Sequence, residues 1–518
     1  MKKILSYSLL LLLFISCKKI TNITEDQNAA SLISTEQIDA FIKEQVSKNH
    51  KFEWSTASSD MVWSALQHSD NIMSVGYMPL NQLNVENNLH NININTADWK
   101  KAKEEVLQLI LKSEQALDPA VSLSSILQWD ETVLPVIDIT VKNPATVKLL
   151  RASKLIRYAE PMGYEPQDAV KAAKEDNSGN AVASSSGCDG NAAQAGLVAG
   201  QDYSTIAPAA KQSWNHGYHG ISQAWTKSTG SGIKVFVVDT GCEFDQENMG
   251  SAFNQGSSAG RTVEKIVTLP RSTFFGIPTG PVETPDDGCG HGTSMAGACA
   301  APRGTDGSAT GVAYNCNLVT CRGAEDVFID GSREVKGVSD AFTNAGNRAD
   351  VKIISMSMGK ITSSSQITDA IKYAYGKGKL IFCAAGTSFG WTSGWFGVIF
   401  PAYLTQVNAV TGVRDNNFNT TCTDCHDGSE TDFTIVMEKA SNGRHPLTLA
   451  ASGDIPSTVG GSSVSTAQAA GIAALVWGRF PTYTAAQVLN KLVLTSANYP
   501  TRNSSVGWGN LNADAATN

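Results

Sequence analysis

The clearest pattern in the chain is a series of short, continuous apolar runs in its second half. The runs lack the polar alternation of a half-exposed strand, so each is predicted to be a strand buried on both faces. They span residues 233–238, 318–321, 351–357 and 380–385. Segments with apolar residues at helical spacing separate them, such as the one that carries Val335, Val338 and Phe342. This alternation predicts an α/β fold whose central, mostly parallel sheet is covered by helices on both faces.

Residues 18–165 have the pattern of a separate, small α+β domain. An amphipathic helix is predicted after Asn95-Thr96, and a second helix after the capping pair Asn143-Pro144. Apolar residues predict strands at 134–140 and 154–158.

The segment that follows this domain differs in composition. Residues 166–210 are rich in Ala, Gly, Ser, Asp and Asn and show no periodicity, which predicts a flexible, cleavable linker. Residues 211–518 then form the α/β domain. The sequence therefore predicts two folded domains joined by a linker, behind a leader at residues 1–17.

The leader has the pattern of an export signal. Lys2 and Lys3 precede an apolar run at 4–15 that is too short to span a bilayer. Ser16 then precedes Cys17, and this ending resembles the lipobox of bacterial lipoproteins. The resemblance implies an exported protein of the bacterial cell envelope that is lipidated on Cys17 and so tethered to a membrane. An ordinary secretory signal with an incidental cysteine is the alternative, and it also takes the protein out of the cytoplasm.

Composition narrows the classes of protein further. The 518 residues are 42% hydrophobic and 17% charged, with a formal net charge of −8, which is typical of a globular protein with a large core. No basic stripe or cluster is present, so the sequence gives no support for nucleic-acid binding.

Ten cysteines are compatible with export to an oxidising compartment. Without Cys17 their number is odd, so at least one lacks a partner within the chain. Cys383 lies inside an apolar run and is expected to be a free core thiol. The spacing leaves the pairing of the others open, with Cys316–Cys321 and Cys242–Cys289 as two options.

Three residues at glycine-marked element ends carry the candidate chemistry. Asp239 follows the run at 233–238, where the carboxyl ends of parallel strands collect functional groups. His291 lies between glycines in GCGHGTSMAG, and Ser463 follows a glycine turn at the start of an Ala-rich helix. Taken singly, Asp239 fits a turn residue and Ser463 fits a helix cap. Together they form the nucleophile, base and orienting carboxylate that nucleophilic catalysis needs.

At this point the chain resembles the subtilisin-like (subtilase) serine peptidases. The supporting stretches occur in family order between about residues 230 and 480: VFVVDTG, GHGTSMAGACAA, GVAYNCNL, ISMSMG, LIFCAAG, FPAYLTQVNAVTGV and GGSSVSTAQAAGIAALV. The resemblance implies a three-layer domain with a catalytic triad of Asp239, His291 and Ser463. Ser463 would attack the scissile carbonyl, His291 would relay the proton, and Asp239 would orient the imidazole.

The resemblance also implies the residues that hold the substrate. The backbone N–H of Ser463 and the residue at Thr387 would form the oxyanion hole. The stretch 355–359 would pair with the substrate backbone as an added strand, and 384–386 would line a mostly apolar P1 pocket. These candidate substrate-binding residues are Ser355, Met356, Ser357, Met358, Gly359, Ala384, Ala385 and Gly386.

The upstream domain resembles the inhibitory propeptide of the same family. VIDITVKNPATVKLL followed by LIRYAEP matches its strand, helix and strand. This implies a zymogen whose own N-terminal part assists folding and blocks the cleft until the linker is cut. The lipid on Cys17 would then stay with the propeptide, and the peptidase would be free or held non-covalently.

The sequence departs from the family pattern near the nucleophile. Thr387 occupies the place of the usual oxyanion Asn, Ser462 replaces a Thr before Ser463, Ala467 replaces a Pro, and Ser294 stands where a second His is common. None of these changes removes a triad member, so activity is expected. The rival hypothesis is a catalytically weak relative that binds peptides without efficient turnover.

Two further motifs leave alternatives open. Cys422-Thr-Asp-Cys425-His426 matches the attachment pattern for c-type haem, but its position in a polar insertion favours a local disulfide or a surface loop. The aromatic stretch 389–396 is either a cleft rim that grips substrate or a packed surface loop. Calcium sites occur in the family, but no carboxylate cluster here is specific enough to assign one, so no metal or cofactor is expected.

Overall fold

The computed structural model of the protein describes residues 32–175, 188, 191–274, 277–387, 397–423 and 425–518. The export signal with Cys17, most of the central linker and the aromatic stretch 389–396 lie outside the described residues. The predictions made for them stay predictions. We call residues 32–175 the N-terminal unit and residues 191–518 the C-terminal unit.

The N-terminal unit is a small α+β structure, as predicted. Its helices are α1 (Thr35–Asn49), α2 (Ser59–Gln67), α3 (Val85–Asn88), α4 (Ala97–Gln115), α5 (Leu123–Ile126), α6 (Pro144–Ala152) and α7 (Gln167–Glu175), and its strands are β1 (Ile72–Tyr77), β2 (Leu127–Asp130), β3 (Val136–Thr140) and β4 (Ile156–Pro161). The strands form an antiparallel sheet in the order β2-β3-β1-β4. Both predicted helices are confirmed, and Asn143 caps α6 by accepting a hydrogen bond from the Ala145 N–H at 3.0 Å.

Regular structure occupies part of the segment that was predicted to be linker. Helix α7 begins at Gln167, whose backbone N–H donates to the Asp39 carboxylate on α1 at 2.9 Å. A hairpin of β5 (Tyr203–Ile206) and β6 (Ala210–Ser213) closes the same segment. The prediction of a structureless 166–210 was therefore wrong at both ends, because small residues such as Ala169 and Ala210 conceal short elements that tertiary contacts stabilise.

The C-terminal unit alternates strands and helices. Its further strands are β7 (Lys234–Asp239), β8 (Val263–Val267), β9 (Thr273–Phe274), β10 (Ile277–Pro278), β11 (Asn317–Arg322), β12 (Val351–Met356), β13 (Leu380–Ala384), β14 (Asn408–Arg414), β15 (Asn417–Thr421), β16 (Thr431–Glu438), β17 (Leu447–Thr448) and β18 (Ser457–Thr458). Its helices are α8 (Ile221–Ala224), α9 (His291–Ala300), α10 (Ser332–Asn347), α11 (Ser365–Gly376), α12 (Gly461–Arg479), α13 (Ala485–Thr495) and α14 (Ala513–Ala516). The four strands predicted from apolar runs end within one residue of these bounds.

The central sheet confirms the predicted α/β fold. Its strands follow the order β15-β14-β13-β12-β7-β11-β8, with β16 also paired to β14. All pairs are parallel except β14 with β15. Apolar side chains of α10 and α11 pack on one face, and those of α9 and α12 pack on the other. Strand β7 lies near the middle, so its carboxyl end opens at the centre of one sheet edge.

The N-terminal unit packs against the C-terminal unit through α10 and α11. The side chains of both units form one continuous apolar cluster there. Buried polar contacts cross the same boundary: the Arg157 guanidinium donates to the Asp369 carboxylate at 2.6 Å, and both side chains are at most 3% exposed. None of the helices in the described part of the chain combines the length and apolar character that a bilayer crossing requires.

Candidate active site

Asp239 is the last residue of β7, between the neighbouring strands β11 and β12. Its side chain is fully buried. The Asp239 Oδ1 atom accepts hydrogen bonds from the backbone N–H of Thr240 at 2.9 Å and from the ring of His291 at 2.7 Å. The prediction that a strand end delivers Asp239 to the sheet edge agrees with this position.

His291 is the first residue of α9, and glycines set its approach to Asp239. Gly290 precedes the helix with φ of 83°, a conformation that disfavours other residues. A Cβ atom at Gly292 would lie 2.3 Å from the carbonyl oxygen of Gly241. The absence of side chains therefore allows the helix start to meet the end of β7, which brings His291 Nδ1 to Asp239.

The environment of His291 tunes it as a base. Burial by itself lowers the pKa of the imidazole, because a charged ring is poorly solvated there. The charge of Asp239 and its hydrogen bond to the ring outweigh this effect, so the pKa of His291 is raised above its usual 6.5. The hydrogen bond to Nδ1 also leaves Nε2 as the ring atom that can exchange a proton with a nucleophile.

Ser463 lies in the first turn of α12 at the same edge of the sheet. Its hydroxyl donates to the carbonyl oxygen of Ser357 at 3.4 Å, and the Ser357 hydroxyl donates back to the Ser463 carbonyl at 2.9 Å. Ser357 directly follows β12, whose Met356 pairs with Val238 of β7. The structure thus brings Ser463 to the strand ends that carry Asp239.

The Ser463 hydroxyl is not joined to the imidazole in this arrangement. Within the described residues, Ser463 Oγ forms a hydrogen bond to the Ser357 carbonyl and none to His291. Catalytic hydrogen bonds in a protein without substrate are often long or misaligned, and they tighten when substrate binds. The Asp239–His291 half of the predicted triad is formed, and the Ser463–His291 contact stays a prediction.

The candidate oxyanion hole contains a contact that sequence reasoning missed. Thr387 follows β13, and its hydroxyl lies 3.1 Å from the hydroxyl of Ser462, with either atom able to donate. The backbone N–H of Gly386 donates to the same Ser462 oxygen at 3.2 Å. Two positions that depart from the family pattern, Thr387 and Ser462, therefore contact each other. In the sequence, these two departures were the only signal of this contact.

The predicted substrate-pairing strand is shorter than the stretch 355–359. Ser355 and Met356 already pair with β7 and β13 inside the sheet, so their backbone is not available to a substrate. The Gly359 N–H donates to the Val327 carbonyl at 3.1 Å, and the Gly359 carbonyl accepts from Ile329 at 2.9 Å. The prediction was therefore wrong for Ser355, Met356 and Gly359. The candidate substrate-pairing residues are now Ser357 and Met358.

The predicted floor of the P1 pocket follows β13. Ala384 and Ala385 are buried, and the Ala385 N–H donates to the Val410 carbonyl at 2.9 Å. The Gly386 carbonyl accepts from the backbone N–H of His426 at 2.9 Å. These contacts fix the backbone beside Thr387, while the role of the three residues in substrate binding stays a prediction.

The disulfides differ from the pairings that spacing suggested. Cys289, two residues before His291, is bonded to Cys188 from the linker. The option Cys242–Cys289 was therefore wrong, and so was Cys316–Cys321, because those other three cysteines are buried free thiols. Cys383 is a buried free thiol, as predicted.

The CxxCH motif forms a local disulfide, one of the two alternatives to haem attachment that its position favoured. Cys422 and Cys425 are bonded to each other, so neither sulfur is available to attach a haem in this state. The His426 ring is buried beneath Gly386, and burial lowers its pKa to about 4. No group of three or more His, Cys, Asp or Glu side chains within the described ranges is arranged to hold a metal ion.

Comparison with known proteins is consistent with the resemblance read from the motifs. A family model described as the subtilase family matches residues 230–509. The chain is 29% identical to a subtilisin of Bacillus sp. strain TA39 over 302 residues, which cover 55% of this chain and 67% of the relative. It is 26% identical to thermitase of Thermoactinomyces vulgaris over 259 residues, 49% of this chain and 78% of the relative. Among solved structures, MycP1 from Mycobacterium smegmatis matches with 19% identity and a TM-score of 0.46, over 61% of this chain and 88% of MycP1.

Proposed function

The chain belongs to the subtilase family of peptidases, and from this premise we propose that it is an exported serine endopeptidase that uses Asp239, His291 and Ser463 as its triad. The observation that carries the proposal is the buried 2.7 Å hydrogen bond between His291 Nδ1 and Asp239 Oδ1. Packing alone does not account for a buried carboxylate that holds a histidine in one tautomer, whereas the catalytic triad requires this pair.

In the proposed reaction the Ser463 Oγ attacks the carbonyl carbon of the scissile peptide bond. His291 Nε2 takes the hydroxyl proton as the bond forms and then gives it to the leaving amine. Asp239 stabilises the imidazolium that exists between these two transfers. Water then attacks the acyl-enzyme ester, and His291 repeats the proton relay to release the acid and regenerate Ser463.

The oxyanion formed in each attack needs hydrogen-bond donors at the first turn of α12. The backbone N–H of Ser463 lies at the N-terminus of this 19-residue helix, where N–H groups without partners and the helix dipole favour negative charge. The Thr387 hydroxyl is the proposed second donor, in the place where the family usually has an Asn. The substrate backbone would lie along Ser357 and Met358, with its P1 side chain over Ala384, Ala385 and Gly386.

We propose further that the N-terminal unit is a propeptide and that the chain is made as a zymogen. Its sheet packs on α10 and α11, and the Glu160 carboxylate accepts from the Ser365 hydroxyl at the start of α11 at 2.9 Å. The described part of the segment that follows contacts α1 and residues 360–362: the Tyr164 hydroxyl donates to Asp39, and the Glu165 carboxylate accepts from the Ile361 N–H at 2.9 Å. Export and a lipid anchor on Cys17 belong to the same proposal.

A serine-directed fluorophosphonate probe and a peptide library test the proposal together. The secreted protein should be labelled and should cut peptides, and Ser463→Ala should abolish both. Peptide cuts that survive this substitution would overturn the assignment of Ser463.

The second candidate function is peptide binding with feeble turnover. It is favoured by Thr387 in the oxyanion position and by the Ser463 hydroxyl bonded to Ser357 instead of His291. Binding of library peptides without labelling and without cuts would favour this candidate over the enzyme.

A further inference from the structure

A second buried carboxylate, Asp287, lies four residues before His291. Its side chain is fully buried and accepts five hydrogen bonds. The hydroxyl of Thr240 donates to its Oδ1 at 2.8 Å, as do the backbone N–H groups of Cys289 at 3.2 Å and Gly290 at 2.8 Å. The backbone N–H and the hydroxyl of Thr293 donate to its Oδ2 at 2.8 and 2.7 Å.

These contacts connect the two sides of the Asp239–His291 pair. On one side, Thr240 directly follows Asp239, and its backbone N–H donates to Asp239 Oδ1. On the other side, the Thr240 hydroxyl accepts from the backbone N–H of Gly292, the residue after His291, at 2.9 Å. Asp287 thus binds the end of β7 and the first turn of α9 at once.

The donors around Asp287 also explain why this residue has to be a carboxylate. An ionised carboxylate only accepts, and every contact to it brings a donor. An asparagine would present its NH₂ group to donors at one end, which replaces attraction by repulsion. The N–H groups of Gly290 and Thr293 donate to different oxygens of Asp287, so one of the two would then lose its acceptor.

We propose that Asp287 is a positioning residue for the peptidase reaction: it holds Thr240 and the start of α9 so that the His291 ring meets Asp239, and its negative charge helps to stabilise the imidazolium. The inference rests on the proposed function. It adds a second carboxylate, outside the triad, to the machinery that sets the basicity of His291.

The charges that face His291 agree with this role. Asp239 on β7, Asp287 before α9 and Asp326 after β11 all raise the pKa of the buried ring, against burial, which lowers it. Removal of the Asp287 charge should therefore lower the pKa of His291. Since the neutral imidazole is the active base, the acid limb of the rate profile should move to lower pH.

The test is the pH dependence of kcat and KM of the wild-type and Asp287→Asn proteins on a chromogenic peptide. For Asp287→Asn we expect kcat at pH 8 to fall by about tenfold or more, with KM within about threefold, because positioning acts on the transition state. The midpoint of the acid limb of kcat/KM should fall by roughly half a unit or more. Asp286→Asn is the matched control, because it removes the same charge one residue away from Asp287. The Asp286 carboxylate accepts from the Phe244 N–H at 2.9 Å.

A second pair of variants separates position from charge and covers the case in which Asp287→Asn does not fold. Thr240→Val removes the hydroxyl that connects Asp287 to Gly292 but keeps the Asp287 charge, so kcat should fall while the acid midpoint stays within about 0.2 unit. Thr240→Ser keeps the hydroxyl and should restore kcat. An unchanged kcat in both Asp287→Asn and Thr240→Val would overturn the proposal, as would a loss in Asp287→Asn without any shift of the midpoint.

A titration by NMR needs no turnover and keeps the proposal separable from the proposed function. The imidazole Cε1–H signal of His291 is followed with pH in Ser463→Ala, with and without Asp287→Asn. A lower pKa of His291 in the double variant supports the role of Asp287 even if the wild-type chain cuts no peptide. Equal values of the pKa would overturn it even if the chain is an active peptidase.

Discussion

Replacement of Thr387 tests whether the unusual oxyanion position takes part in catalysis. The Gly386 N–H donates to Ser462 Oγ, so the Ser462 hydroxyl is free to donate to Thr387 Oγ1 across their 3.1 Å contact. In that arrangement the Thr387 proton points away from Ser462 and can meet an oxyanion. Each bond of such a chain polarises the next, which strengthens the terminal donor.

The strength of a hydrogen bond to a charged group sets the size of the expected effect. A hydrogen bond to a charged group contributes about 1.5–3 kcal/mol, and each 1.4 kcal/mol is about tenfold in rate. Thr387→Ala should therefore lower kcat by roughly 10- to 150-fold. The loss should fall on kcat with KM little changed, because the bond is strong only once negative charge has developed on the oxygen.

Steady-state kinetics on one chromogenic peptide measure the effect. Thr387→Ser is the matched control, since it keeps the hydroxyl and removes only a methyl group, and it should stay within about threefold of wild type. Thr387→Asn installs the donor that the family usually carries and should give at least the wild-type kcat. If Thr387→Ala keeps kcat within twofold of wild type, Thr387 is not a donor and the chain of hydrogen bonds through Ser462 has no catalytic role.

The other predictions concern the contact between the two units and the linker. Asp369→Ala leaves the Arg157 guanidinium buried without its carboxylate, which costs about 3–5 kcal/mol. The cut N-terminal unit should then dock roughly 150- to 5,000-fold more weakly in gel filtration or calorimetry, whereas loss of the exposed Lys43–Asp168 pair should change little. Burial raises the pKa of Asp138 to about 8 and that of Glu160 to about 7, from 3.8 and 4.5. Their protonated forms are therefore favoured when docked, so docking should weaken as pH rises from about 4 to 8, and equal co-elution at pH 5 and 9 would contradict this. Finally, the main maturation cut should fall before Cys188, and mass spectrometry of the secreted protein should find the peptidase beginning upstream of it.

Much of the fold was predictable because the central strands are buried on both faces. Such strands need continuous apolar runs, and the runs at β7 and β13 could be recognised without knowledge of their neighbours. The short helix α7 and the hairpin of β5 and β6 were missed for the opposite reason. Their stability comes from contacts distant in sequence, such as that between Gln167 and Asp39, and their own residues carry little local preference.

The site was predictable where backbone geometry restricts the residue type. Gly290 and Gly292 are required by a left-handed turn and by close approach to Gly241, so the flanks of His291 were legible in the sequence. The roles of Ser462 and Asp287 were not legible, because a serine or an aspartate at a helix start fits an ordinary cap equally well. Only the neighbours, brought together from distant parts of the chain, show which groups those oxygens bind.

The Cys188–Cys289 disulfide and the contact between the units together determine what a cut in the linker can separate. Because Cys188 is bonded to Cys289 in the loop before His291, a cut after Cys188 would leave the N-terminal unit tied to the peptidase by the disulfide, whereas a cut before Cys188 leaves no covalent bond between them. Within the described ranges, residues 32–175 contact the C-terminal unit non-covalently, on α10, on α11 and on residues 360–363. The Lys360–Glu165 ion pair there is at most 1% exposed, and the Arg157–Asp369 pair is at most 3% exposed with two hydrogen bonds between its groups. A lipid on Cys17 would therefore keep the peptidase at the membrane only as long as these contacts last. Since the carboxyls at that boundary favour docking when protonated, release from the membrane should be governed by pH and not by the redox state of the linker disulfide.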